Sequence, residues 1–276
     1  MTIGGWLSDA TKQLVDAGIS SPRLDAEIIL AHTIKKPRTY VHAHIADEIE
    51  PRLEEIANAR LDLRTERTPI AYIVGHKEFY GRLFQVSPAT LIPRPESEEM
   101  ITILRELLGS TKSFPTLESR RLVDIGAGSG CLGITAKLLY PELDVTLLDI
   151  SNAALKIAEK NASAFGADIA LLRSDLLQAY PYSPDIVLAN LPYVDEAWDT
   201  NSPELRYEPP EALYATKRGL QIIESCFEEL SHRMKKGGIA IFEADPRQWE
   251  SIIAVAKRHG FVVTHAGNFA YSFNKL

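Results

Sequence analysis

Residues 190–193, Asn-Leu-Pro-Tyr, close an apolar run, Ile186-Val187-Leu188-Ala189, that reads as a buried strand. A polar amide, a proline and an aromatic in succession at a strand end suit one kind of chemistry. A planar, conjugated nitrogen is a poor nucleophile because its lone pair is delocalised. It reacts only when held so that growing lone-pair density faces the electrophile. Two acceptors aimed at its two N–H bonds do this, and they favour the positive charge that develops in transfer. The Asn190 side-chain oxygen is one such acceptor and the backbone carbonyl of Leu191 is the other. Pro192 biases Leu191 towards extended backbone, which fixes where that carbonyl points. Tyr193 offers a flat face for a planar amide or base. No general base is demanded, because the proton can leave after the transferred group arrives.

A second set of residues suits a nucleotide-like ligand. In "LVDIGAGSGCLGI", Gly126, Gly128 and Gly130 alternate in a strand-to-helix turn, where glycine lets the backbone approach a ligand and bares amide groups at a helix start. A dinucleotide fingerprint counted from Gly126 would need glycine at position 131, which is Cys131. The pattern present is D-x-G-x-G-x-G, with Asp124 on the strand. The next strand ends at Asp149, whose two oxygens suit a pair of ribose hydroxyls. The third ends in "RSDLL", where Asp175 can accept from an adenine amino group while Leu176 packs on the ring.

The elements that must position these groups alternate from residue 120 onwards. "RLVDIGAG", "DVTLLDIS", "IALLRSD", "DIVLANLPY" and "GIAIFEAD" read as strands, with helical patterns between them. That order predicts a parallel, doubly wound sheet with helices on both faces and ligands at the carboxyl ends of its strands. The end, "GFVVTHAGNFAYSFNKL", reads as a hairpin around Gly267-Asn268. Upstream, three helical patterns precede a period-two stretch: Trp6, Leu7, Ala10, Leu14 and Val15 on one stripe, Leu24, Ile28 and Ala31 on a second, Leu53 to Arg64 on a third. "KEFYGRLFQVS" then predicts a β-hairpin, and "IPRPESEEMITILRELLG" a helix with Glu96, Glu98 and Glu99 in its first turn.

Composition narrows the class. The 276 residues carry 30 basic and 37 acidic side chains, a net charge of −7, which argues against a free-standing nucleic-acid binder. No run of about 18 apolar residues is present, and the first residues lack the basic-then-apolar pattern of a secretory leader. Cys131 and Cys226 stand alone, so reduced thiols of a cytoplasmic protein are expected, with no disulfide framework. His42 and His44 have no third ligand nearby in sequence, so no metal is expected.

The glycine loop resembles that of S-adenosylmethionine-dependent methyltransferases. Asn190–Tyr193 resembles the N/D/S-P-P-Y/F motif of enzymes that methylate amino groups on planar systems, among them DNA adenine, guanine in RNA, and glutamine. In order, "RLDAEIILAH", "TPIAYIVGHKEFYGRLFQVSPATLIPRPESEEMI", "VDIGAGSGCLGI", "LLDISNAALKIAEKNA", "NLPYV" and "RYEPPEAL" closely resemble segments of the HemK/PrmC family. Those enzymes methylate the glutamine side-chain amide in the Gly-Gly-Gln motif of class 1 peptide chain release factors.

The resemblance implies a class I methyltransferase fold, Rossmann-like α/β with a mostly parallel seven-stranded sheet, over 94–276. It also implies an N-terminal helical substrate-docking domain over 1–68 and a β-hairpin linker over 69–93. The cofactor implied is S-adenosyl-L-methionine, leaving as S-adenosyl-L-homocysteine. Asn190, Leu191, Pro192 and Tyr193 become the catalytic, amide-binding set. Asp124, Gly126, Ala127, Gly128, Gly130, Asp149, Ile150, Asp175, Leu176 and Asn190 become the cofactor site. Phe79, Phe84 and the Pro93-Arg94-Pro95-Glu96 segment resemble a hairpin and lid over the site, and Glu208-Pro209 a rim turn. The protein is expected to be a monomer, cytoplasmic, with release factors as partners and neither stable nucleic acid nor membrane. Two competing readings are a methyltransferase for a ribosomal-protein glutamine or a nucleic-acid amino group, and a non-catalytic cofactor-binding protein. The chain departs from the family at Leu191, where proline is usual, at Ser97, where threonine is usual, and in "FEADPRQWES", which keeps Glu243 but alters its neighbourhood.

Overall fold

The computed structural model describes residues 1–109, 119–195, 197–198 and 202–276. The chain divides into two units: one takes Met1–His76 together with the segment that includes Pro203–Tyr207, the other takes the rest.

In the first unit the Thr2 hydroxyl accepts from the Gly5 N–H and starts α1 (Ile3–Asp16). α2 (Pro22–Ile34), α3 (Arg38–Ala43), α4 (Pro51–Thr65) and α5 (Ile70–Val74) follow. Trp6, Leu7, Leu14, Ile29, Leu30, Val41 and Leu61 form the core. The stripe expected on α2 is corrected by the structure. Leu24 is exposed, as is Val15 on α1, while Asp25 and Glu27 are buried. Both acids face inward because each has a cation: Arg64 Nε donates to Asp25 at 2.7 Å, and Arg23 and Arg38 each donate to Glu27 at 2.7 Å. A paired charge is tolerated inside where a lone one is not. Arg64 and Arg67 also reach Glu204, at 3.2 and 3.1 Å. Arg206 and the Tyr207 hydroxyl donate to the Glu66 carbonyl at 2.8 and 2.7 Å. The later segment therefore folds with the first unit. His42 lies 3.3 Å from Glu27, and His44 stacks on Tyr40.

The hairpin is present as β1 (His76–Phe79) and β2 (Arg82–Gln85), and the stretch read as linker also holds α5. The sheet of the second unit contains β3 (Arg121–Ile125), β4 (Asp144–Asp149), β5 (Ala170–Arg173), β6 (Ile186–Ala189), β7 (Ile239–Glu243), β8 (Phe261–Ala266) and β9 (Ala270–Lys275). Its order is β5-β4-β3-β6-β7-β9-β8; β3 to β7 pair in parallel and β9 runs antiparallel to both neighbours. Around it lie α6 (Glu98–Gly109), α7 (Cys131–Leu139), α8 (Asn152–Phe165), the single turns α9 (Pro210–Leu213) and α10 (Thr216–Gly219), α11 (Gln221–Arg233) and α12 (Trp249–Arg258).

Strand residues alternate between two cores. Leu122, Leu147, Leu188 and Ile241 pack with α6, α7 and α8, whereas Val123, Leu148, Val187 and Phe242 pack with α11 and α12. Both faces are covered, which is why Ile186–Ala189 is a continuous apolar run rather than an alternating one.

Candidate active site

The strand order reverses between β3 and β6, and open α/β sheets bind ligands outside the carboxyl ends of strands at such a point. Ile125 and Ala189 are register partners, so Gly126 and Asn190 leave the sheet side by side. Leu191 approaches closely enough that a β-carbon on Gly126 would lie 3.3 Å from Leu191 Cδ2.

The loop after β3 is held by β4. Gly126 and Ala127 each donate a backbone N–H to the Leu148 carbonyl at 2.9 Å, and Gly128 N–H donates to Asp149 Oδ2 at 2.8 Å. Asp149 Oδ1 accepts from Ser151 N–H at 2.8 Å. Each oxygen of Asp149 therefore carries one internal bond and retains a lone pair for a ligand. Burial, foremost, raises its pKa from the usual carboxylate range. Asp124 is fully buried beneath the loop, where Oδ2 accepts from Gly133 N–H at 2.8 Å, in the first turn of α7. Burial pushes its carboxyl up to about 7, with Gly133 opposing and the charge of Asp149 adding.

A cavity of about 240 Å³ opens here. Gly126, Ala127, Gly128, Asp149, Ile150, Asp175, Leu176, Asn190, Leu191, Pro192 and Arg94 line it, joined by Ala89–Leu91, Pro93, Ser97, Ser129, Cys131, Ser174, Glu211 and Ile222. Ile150, an apolar side chain beside an acid at a strand end, is exposed. Arg94 donates to Glu208 Oε1 at 2.5 Å, and Ile92 N–H donates to Glu208 Oε2 at 3.0 Å, so this buried acid ties down the strip from Leu91 to Arg94.

Not every residue singled out in the sequence reaches the cavity wall. Asp124 lies under the glycine loop, Gly130 ends that loop with its α-carbon against the core, and Glu208 acts from behind Arg94. Glu96 is exposed. Phe79 and Phe84 are fully buried, ring centroids 6.2 Å apart, among side chains of α6. Their size and apolarity drew them into the core rather than onto a lid. The Tyr193 ring also stays off the wall. Its hydroxyl donates to Glu243 Oε1 at 3.2 Å, and its carbonyl accepts from the Gln248 side chain at 2.8 Å.

The sequence matches the PrmC N-terminal domain over residues 5–75 and the methyltransferase small domain over residues 106–203. It is 34% identical over 274 residues to a release factor glutamine methyltransferase of Koribacter versatilis, covering 94% of this chain and 96% of that protein. The chain belongs to the release factor glutamine methyltransferase family. A release factor glutamine methyltransferase of Deinococcus radiodurans is 30% identical over 262 residues, covering 95% of this chain and 92% of that protein. Among solved structures, a 16S rRNA methyltransferase of T. Thermophilus in complex with AdoMet and guanosine superimposes with a TM-score of 0.53 at 17% identity, over 72% of this chain and 49% of that one. That likeness speaks for the fold alone, a class I methyltransferase fold.

In this family member two further polar side chains stand next to Asn190. Its Nδ2 donates to Ser97 Oγ at 3.1 Å. Ser97 is buried, and so is Glu243 at the end of β7. Burial pushes the Glu243 carboxyl up to about 7, while Ser97, Tyr193 and Asn190 favour its charged form and Glu96 opposes it. A carboxylate inside the apolar run "GIAIFEAD" was the signal in the sequence, because an acid is rarely buried without a partner.

Proposed function

We propose that this chain transfers a methyl group from S-adenosyl-L-methionine to the side-chain amide nitrogen of the glutamine in the Gly-Gly-Gln motif of class 1 release factors. The observation that carries the reading is the orientation of Asn190. Its NH2 is turned to Ser97, which leaves its carbonyl oxygen as the acceptor at the cavity wall. Membership of the release factor glutamine methyltransferase family points to the same target.

The residues present fit the cofactor. The loop Gly126–Gly128 offers room for a methionine end, because a β-carbon on Gly128 would meet nothing within 4 Å. Asp149 would hold the ribose with its spare lone pairs, and Ile150, Asp175 and Leu176 would frame the adenine. When bound, the cofactor supplies an electrophilic methyl group on a sulfonium.

The chain's own part is orientation. Asn190 Oδ1 and the Leu191 carbonyl accept the two N–H bonds of the target amide, which aims its nitrogen and favours positive charge there. Leu191 lacks the ring of the usual proline, but its backbone is confined by Pro192 and its side chain is 3% exposed, packed in the core beside Gly126. The N-terminal helical domain, residues 1–68, would dock the release factor, so that remote binding energy positions the glutamine loop. The enzyme would work as a cytoplasmic monomer without stably bound nucleic acid.

Labelled S-adenosylmethionine tests this with a class 1 release factor, native or carrying Gln→Ala in its Gly-Gly-Gln motif. Label is expected on the native factor alone. Label on the altered factor, or on RNA and not on the native factor, overturns the reading.

A further inference from the structure

Behind Asn190 stands a chain of polar groups that the transfer step does not itself use. Glu243 ends β7, one residue past the Ala189–Phe242 register pair, and is 1% exposed. Tyr193 donates to its Oε1, and Oε2 is buried without a hydrogen-bond partner among the described residues. Ser97, 2% exposed, accepts from Asn190 Nδ2 and so has its own proton to give. Both hydroxyls favour the charged form of Glu243.

An ionised carboxylate is the only member of this set that can do nothing but accept. It therefore sets the direction of the whole chain. The hydroxyl protons of Tyr193 and Ser97 turn towards Glu243, the Ser97 oxygen is left to accept from the Asn190 NH2, and the Asn190 oxygen is turned outward. We propose that Glu243 is a positioning residue for the transfer, fixing which end of the Asn190 amide meets the substrate. The proposal rests on the reading of Asn190 as acceptor for the target amide. A glutamine at 243 would offer a donor as well as an acceptor. The Ser97 hydroxyl can then reverse, and Asn190 can present NH2 to the N–H bonds it should receive.

Other charged or titratable groups surround the chain. Glu96 raises the Glu243 pKa from the segment before α6, and the Cys131 thiol, itself pushed up to about 12 by burial first, feels the charge of Glu243. Arg94 and Asp245 act on Tyr193, and Glu99 binds the backbone N–H groups of residues 268–270 beside β9.

The test uses the full chain with E243Q and E243D. One arm follows the Asn190 side-chain amide by 1H–15N NMR from pH 5 to 9. The other measures single-turnover methyl transfer to a class 1 release factor, with cofactor affinity by calorimetry. In the native protein the Asn190 resonances are expected to titrate near pH 7, and in E243Q to stay flat. Transfer by E243Q should fall about ten- to a hundredfold, with cofactor Kd changed less than about threefold, and E243D should recover part of the loss. Identical Asn190 titrations in the native protein and E243Q, or an E243Q rate within about twofold of native, overturn the proposal. So does a loss of cofactor affinity that accounts for the lost rate, which makes Glu243 a structural group. If the native protein labels no release factor while Asn190 still titrates through Glu243, the substrate reading fails and the positioning role stands.

Discussion

Gly128 and Gly130 share one loop and one backbone conformation, with φ of +55° and +79°, yet alanine at each should do different damage. The left-handed conformation costs an L-residue ~1–2 kcal/mol, and both variants carry that. At Gly130 the new β-carbon would stand 2.8 Å from Ile134 Cδ1, 3.0 Å from Leu147 Cδ1 and 3.2 Å from Ala158 Cβ. All three belong to the core between α7, α8 and β4, so overpacking adds ~1–3 kcal/mol. Gly130→Ala should therefore lose ~2–5 kcal/mol of stability, against ~1–2 kcal/mol for Gly128→Ala. At ~2–4 °C of Tm per kcal/mol, that separates the variants by several degrees. Gly128→Ala should instead show its effect in binding, since its β-carbon points into open space at the cavity and a loss of ~1.4 kcal/mol raises cofactor Kd about tenfold. Scanning calorimetry and titration calorimetry on the two variants decide the matter. Equal Tm losses, or a Gly128→Ala protein with unaltered Kd, would refute the division of labour within the loop.

Other outcomes follow from groups already described. Asn190→Ala should lower the transfer rate by at least about a hundredfold while cofactor Kd, measured by calorimetry, stays near native. Glu208→Gln removes the charge that holds Arg94; because Arg94 is partly exposed, ~1 kcal/mol is at stake, and cofactor Kd should rise about fivefold. Asp124 and Glu243 both titrate higher in the folded chain than when unfolded. Between about pH 4 and 7 the folded state keeps protons that the unfolded state has released, so stability falls as pH rises through that window, by at most ~1.4 kcal/mol per pH unit for each group. Asp124→Asn should flatten that slope in urea midpoints taken from pH 4.5 to 8. Arg64→Met strands the buried Asp25 and should cost ~3–5 kcal/mol in thermal unfolding, whereas Arg67→Met, at a more exposed site, should cost ~1 kcal/mol or less.

The sheet and the residues at its crevice were legible in the sequence because their determinants are local. A four-residue apolar strand, a glycine turn and an acid at a strand end each declare themselves within a few positions. What was not legible depends on partners far along the chain. Asp25 sits inside α2 because Arg64, 39 residues on, comes to meet it, and helical periodicity, which ranks acids as outward, chose Leu24 instead. The Tyr193 ring read as a stacking face because nothing near it in sequence announced Glu243, 50 residues on. Phe79 read as a lid for the same reason: its partner Phe84 is close by, but the α6 side chains that complete its burial are not.

The Pro203–Tyr207 turn has a consequence for anyone who wishes to recombine this protein. Its neighbours in sequence belong to one folding unit and its contacts to the other, so the boundary in space is crossed again long after the boundary in sequence. A chimaera that takes residues 1–76 from a relative inherits a foreign set of groups at positions 64, 66 and 67, while the native Glu204, Arg206 and Tyr207 wait for Arg64, Arg67 and Glu66. The exchangeable module is two pieces of chain, and they have to travel together.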